Sequence, residues 1–159
     1  MKRPSIYRAF GNKEQLYGLA LSHYRRMFAE TVTVRFVAER RLRSALTFGF
    51  DAAIDFFSCG SPRARGCFEL VTGLDVSGRY PAIQTALAEG AESRLNFARE
   101  LLVRAGEQGE LDGGLDIGSR ALLLRSTIQS LAINARLGGS PATLRNLAEA
   151  STHLICNPD

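Results

Sequence analysis

The chain has no tryptophan, two histidines (His23 and His153) and three cysteines (Cys59, Cys67 and Cys156). Two histidines in separate stretches give no basis for a zinc site or a Ser–His–Asp arrangement. Neither a Gly-rich phosphate loop nor a nucleophile elbow is present, so nothing in the sequence speaks for an enzyme, a metal or a cofactor. The odd number of cysteines, without metal-type spacing, is the pattern of reduced thiols in a cytoplasmic protein. Long apolar runs are also missing. The longest candidate, Ser126 to Ala135, is interrupted by Ser, Thr, Gln and Asn and falls short of the ~18 residues a membrane span needs. The start lacks the apolar segment of a secretory leader. No strand-like alternation, internal repeat or low-complexity tract appears, which leaves an all-α chain as the expectation.

Hydrophobic residues make up 45% of the sequence, enough for a sizeable core. The net charge of +4 is unevenly spread: residues 1–43 hold ten Lys/Arg and three Glu, and the remainder holds ten Arg and thirteen Asp/Glu. A basic end on a slightly acidic body suits contact with a polyanion, although a solvated basic surface produces the same count.

Periodicity divides the chain into helices. From Lys13 to about Val37, the residues Leu16, Leu19, Ala20, Tyr24, Met27, Phe28 and Thr31 recur at three-and-four spacing. Gly18 weakens this helix by roughly 1 kcal/mol against Ala. The segment Leu42 to Cys59 is apolar nearly all round, with four of the nine Phe residues, so it should be buried on several sides or wall a cavity. Asp51 and Asp55 share its polar side with Ser44, Thr47 and Ser58 and read as a solvated face. Ser61 and Pro62 look like a helix start. Pro81 opens a long stripe of Ile83, Leu87, Ala91, Leu95, Ala98, Leu102 and Ala105, which Gly106 and Gly109 end. Asp116 caps a helix to Leu137, Gly138 to Pro141 stop and restart the chain, and the last helix reaches about Cys156. Cys67 reads as a small packed residue or a redox-sensitive thiol. Glu69, flanked by Phe68, Leu70 and Val71, points either to solvent or inward, where it would need a cationic partner.

The opening stretch carries the most specific pattern. Pro4 suits a first helical position, Gly11 a left-handed helix end, and Asn12 with Gln15 a capping box. Lys13 opposes the dipole of the helix it opens, which makes sense if an anion sits there. Ser5-Ile-Tyr-Arg-Ala-Phe-Gly-Asn-Lys-Glu-Gln-Leu-Tyr17 resembles the end of the DNA-binding domain of TetR/AcrR-type transcriptional regulators, where the recognition helix closes and the connecting helix opens. Two later stretches resemble the same family: Arg65-Gly-Cys-Phe-Glu-Leu-Val-Thr-Gly73, and Ala105-Gly-Glu-Gln-Gly-Glu-Leu111 at the junction into the last two helices.

The resemblance implies a TetR-like helical bundle: a remnant of the DNA-binding domain over residues 1–37 and a ligand-binding and dimerisation domain over 38–159. It implies a homodimeric repressor released from operator DNA by a small-molecule effector. Lys2, Arg3, Ser5, Tyr7 and Lys13 would face DNA, with Tyr7 and Lys13 on phosphates. Phe28, Phe50, Phe57, Phe68, Glu69, Phe97 and Leu101 would line the cavity, and so many Phe with few charges suggest an apolar effector. Leu124, Ile128, Leu131, Leu144, Leu147, Ser151 and Leu154 would meet the second copy. The family carries two further helices ahead of this point, and a recognition helix of about seven residues is too short to hold alone. The expectation for this chain by itself is a dimer that does not grip DNA.

Overall fold

The computed structural model describes residues 10–60, 64–76, 80–111 and 115–156, without the side chains of 74–76. These form seven α-helices and no strand: α1 (Lys13–Phe28), α2 (Val34–Ala38), α3 (Leu42–Ser58), α4 (Phe68–Val76), α5 (Pro81–Glu107), α6 (Ile117–Arg136) and α7 (Pro141–Cys156). The expected all-α architecture is the one observed. Ser61 and Pro62 lie outside the described residues, but Ala64–Cys67 are not helical, so α4 begins later than the Ser-Pro pair suggested.

Local chemistry sets the helix ends. Asn12 and Gln15 make a reciprocal capping box, each backbone N–H donating to the other's side-chain oxygen at 2.9 Å, and Gly11 precedes it at φ +80°. Asp116 accepts from Ser119 N at 3.0 Å and from Ser119 Oγ at 2.6 Å. The Ser119 bonds favour the charged carboxylate and hold its pKa below the usual value. The N-terminus of α3 has no cap of its own. Glu110, from the turn after α5, supplies one by accepting from Leu42 N at 2.6 Å.

α3 is the central rod. It buries Leu42, Ala45, Leu46, Gly49, Phe50, Ala53, Ile54 and Phe57 and packs on α2, α6 and α7. Gly49 sits directly under the Phe36 ring, where a Cβ would collide with it, so this glycine lets the chain after α1 close onto α3. Asp51 and Asp55 are exposed, as their shared polar face implied.

Between α1 and α2 the chain makes a π-helical turn, Ala29–Thr33. The wider turn inserts a residue and rotates everything beyond it. The stripe read from the sequence placed Thr31 inward and did not include Val32. Instead Thr31 is exposed, while Val32 and Phe36 are fully buried. Leu19 and Met27, placed on the same stripe, lie at the surface, and the inward side of α1 is Leu21, Tyr24, Arg25 and Phe28.

Candidate functional site: an aromatic cavity with three arginines

A cavity of about 570 Å³ lies between α1 and the body of the bundle, enclosed by α3, α4, α5 and α6. That volume falls in the range of small-molecule sites. Aromatic rings at and beside the cavity form two groups. Tyr24 and Phe28 from α1 meet Phe56 of α3 with ring centroids 5.7 and 5.5 Å apart, and Phe28 stacks on Phe57 at 5.8 Å. Phe36 meets Phe97 of α5 edge to face at 6.2 Å. Leu70, Leu87, Leu124 and Ile128 complete the apolar lining.

Charged and polar groups interrupt this lining. Glu69 does point inward and is 6% exposed. Arg25 Nε and Arg94 NH2 each approach one of its carboxylate oxygens at 2.5 Å, so its cationic partners come from the chain itself. The triad joins α1, α4 and α5. Arg25 NH2 also donates to Ala86 O at 2.7 Å. That carbonyl is open because Gly90, one helical turn further on, carries no side chain, and a Cβ there would land on the Arg25 guanidinium. Replacing Gly90 with Ala should force the guanidinium off Ala86 O and Glu69, at a cost of about 1–2 kcal/mol. Equilibrium urea unfolding would show it, and a loss below experimental error would remove Arg25 from the account.

Among the described residues, the buried polar atoms Tyr24 Oη and Arg125 Nε meet no protein partner of ordinary hydrogen-bond geometry. Both residues line the cavity. Burial, reinforced by the nearby Cys67 and Glu69, raises the Tyr24 pKa far above the usual phenol value. Tyr24 is therefore a neutral hydroxyl across the physiological range. Cys67, half-buried, is another lining residue.

Of the residues the sequence pointed to as ligand-binding, Phe28, Phe57, Glu69 and Phe97 line the cavity. Phe50 does not: it is fully buried behind Phe36, 5.7 Å away. Phe68 stands beside the site, stacked on Tyr17 at 5.3 Å and tilted against Tyr24 at 5.8 Å. Leu101 is a core residue one turn beyond Phe97, 4% exposed. Tyr24, Arg25, Arg94 and Arg125 also line the cavity and were not among the expected residues. The usable signal was helical spacing. Tyr24 and Arg25 share a face with Phe28, Arg94 follows Leu87 and Ala91, and Arg125 lies between Ala121 and Ile128.

Lys2, Arg3, Ser5 and Tyr7, expected to face DNA, lie outside the described residues. Lys13 is exposed, with its Nζ 5.9 Å from the centre of the Tyr80 ring. The residues expected to meet a second copy divide by face. Leu124, Leu131, Leu144 and Ser151 are buried in the chain's own core, so these four cannot form an outer surface, and Ile128, half-buried, lines the cavity. Leu147 is half-buried, and Leu154 is 47% exposed. The outward apolar residues of α6 are Leu122 and Ile133, with Leu137 just past its end.

Residues 39–151 match the family described as "Tetracyclin repressor-like, C-terminal domain". The HTH-type transcriptional repressor ComR of Escherichia coli (strain K12) is 28% identical over 154 residues, covering 96% of this chain and 73% of ComR. Two structures of cysteine mutants of the TetR family transcriptional regulator CifR, complexed with 26-bp double-strand operator DNA, share the fold at TM-scores of 0.83. They are 21% and 22% identical to this chain, covering 96% of it and 79% and 80% of their own lengths.

Proposed function

The chain belongs to the TetR family of transcriptional regulators, and we propose that it is a cytoplasmic homodimeric repressor released from operator DNA by a small molecule in the α1–α6 cavity. The observation that carries this reading is the place of α1 in the cavity wall. Tyr24, Arg25 and Phe28 all come from the helix that would connect the DNA-reading segment to the body. A ligand wedged against them acts on that connector directly, and only a ligand with different affinity for two positions of α1 shifts their balance. CifR in complex with operator DNA and the repressor ComR support the DNA partner. Residues 38–159 would then be the ligand-binding and dimerisation domain, with Lys13 at the edge of the DNA-facing segment.

For the dimer, the proposal moves to the outward faces of α6 and α7: Leu122, Ile133, Leu147 and Leu154. Exchanging Leu154 for Arg should weaken self-association by about tenfold or more, because a charge would be desolvated in an apolar contact. Sedimentation equilibrium reads this, and an unchanged dimer would remove α7 from the interface. The release mechanism is tested by spin labels at Leu19→Cys in a Cys59→Ser background. Ligand should change the distance between the two labels of the dimer, and an unchanged distance with ligand bound would sink it.

A further inference from the structure

The lining of the cavity holds three arginines, Arg25, Arg94 and Arg125, and one carboxylate, Glu69. Glu69 is already shared between Arg25 and Arg94. Arg125 is half-buried, and its Nε is sealed from solvent with no hydrogen-bond partner among the described residues. A buried donor without a partner is costly, more so when charged, and native structures rarely keep one without a reason. Tyr24 adds a second buried donor to the same cavity, a neutral hydroxyl.

We infer that the cavity takes an amphipathic anion, an aromatic or branched hydrocarbon body ending in a carboxylate, with its charge on Arg125. The hydrocarbon meets Phe28, Phe57 and Phe97, while the carboxylate meets a guanidinium whose planar fork matches it. A neutral hydrocarbon fills the space but leaves Arg125 unpaired. A cation meets a net positive lining. The sequence-based expectation of a plainly apolar effector is thereby replaced by one that is apolar and charged.

This inference rests on the cavity being the effector site, and the experiment separates the two. The full chain is titrated by calorimetry with 4-biphenylbutyrate, its primary amide and the corresponding amine. The acid should bind about tenfold or more tighter than the amide, the worth of one charge-assisted hydrogen bond, and the amine should bind weakest. Arg125→Met should bring the acid down to the amide's affinity and leave the amide unchanged, and Arg125→Lys should restore part of the difference. Ala91→Phe, which fills the cavity, should weaken acid and amide together. Equal binding of acid and amide overturns the anion class and leaves the cavity reading standing. A preference that survives in Arg125→Met overturns the assignment to Arg125. Binding of none of the three, or binding indifferent to Ala91→Phe, overturns the cavity reading and this inference with it.

Discussion

Replacing Glu69 with Gln is expected to lower stability by about 2–3 kcal/mol and the melting temperature by roughly 4–12 °C. Glu69 is 5% exposed at its side chain, whereas Arg25 and Arg94 are 32% and 36% exposed. Breaking a fully buried ion pair costs more, about 3–5 kcal/mol. Here water relieves part of the loss at the arginine ends, which sets the lower figure. Gln keeps the shape and one acceptor but leaves two guanidinium groups facing each other without a counter-charge. Because the triad joins α1, α4 and α5, the loss should fall unevenly. Amide exchange should quicken in α1 and α4 before it does in α3, whose core contacts do not involve Glu69. Calorimetry and hydrogen exchange check both parts. A change below about 0.5 kcal/mol, the usual worth of a surface pair, would show that the triad ties nothing together.

Much of this fold was legible because helix ends are written in local chemistry. Asn12 with Gln15, Asp116 with Ser119, and the restart at Pro141 lie where their side chains can reach only a few backbone groups. The burial of α3 was equally plain, since few of its faces are polar. The π-helical turn was not legible. Nothing in Ala29–Thr33 distinguishes it from ordinary helix, and the docking of Phe36 over Gly49 just beyond it is a contact between distant positions on separate helices. The predicted face was already off before the turn, at Leu19 and Met27, and it left out Val32 and Phe36.

The site was legible in its hydrocarbon and illegible in its charges. Arg25, Arg94 and Arg125 looked like solvated residues because arginine usually is one. The inward placement of Arg25 and Arg94 depends on Glu69 lying opposite, and that of Arg25 also on Gly90 exposing a carbonyl. The outward faces of α6 and α7 posed a different difficulty. Leu124 and Leu131 are as apolar as Leu122 and Ile133, so α6 has two apolar sides and the pattern alone cannot say which one is the chain's own core. Packing against α3 decides it.

Arg120→Met should be the most damaging of these substitutions, at about 3–4 kcal/mol. The Arg120 side chain is fully buried. Its Nε donates to Leu115 O at 2.8 Å and its NH1 to Ile155 O, so one guanidinium ties the entry of α6 to the last turn of α7. A cation there also opposes the partial negative charge at the end of α7. Met fills much of the same volume, so the loss measured is chiefly polar: a buried carbonyl at Ile155 left without its donor, and a helix end without its cation. Lys, with a single ammonium in place of the fork, should recover only part of the stability. The two helices that Arg120 holds together are those whose outer faces carry Leu122, Ile133 and Leu154, so the same substitution should weaken self-association as well as folding. Denaturant unfolding and sedimentation on one preparation separate the two effects. If Arg120→Met stays within about 1 kcal/mol of the parent, the worth of one ordinary hydrogen bond, the α6–α7 pair is held by its apolar contacts alone.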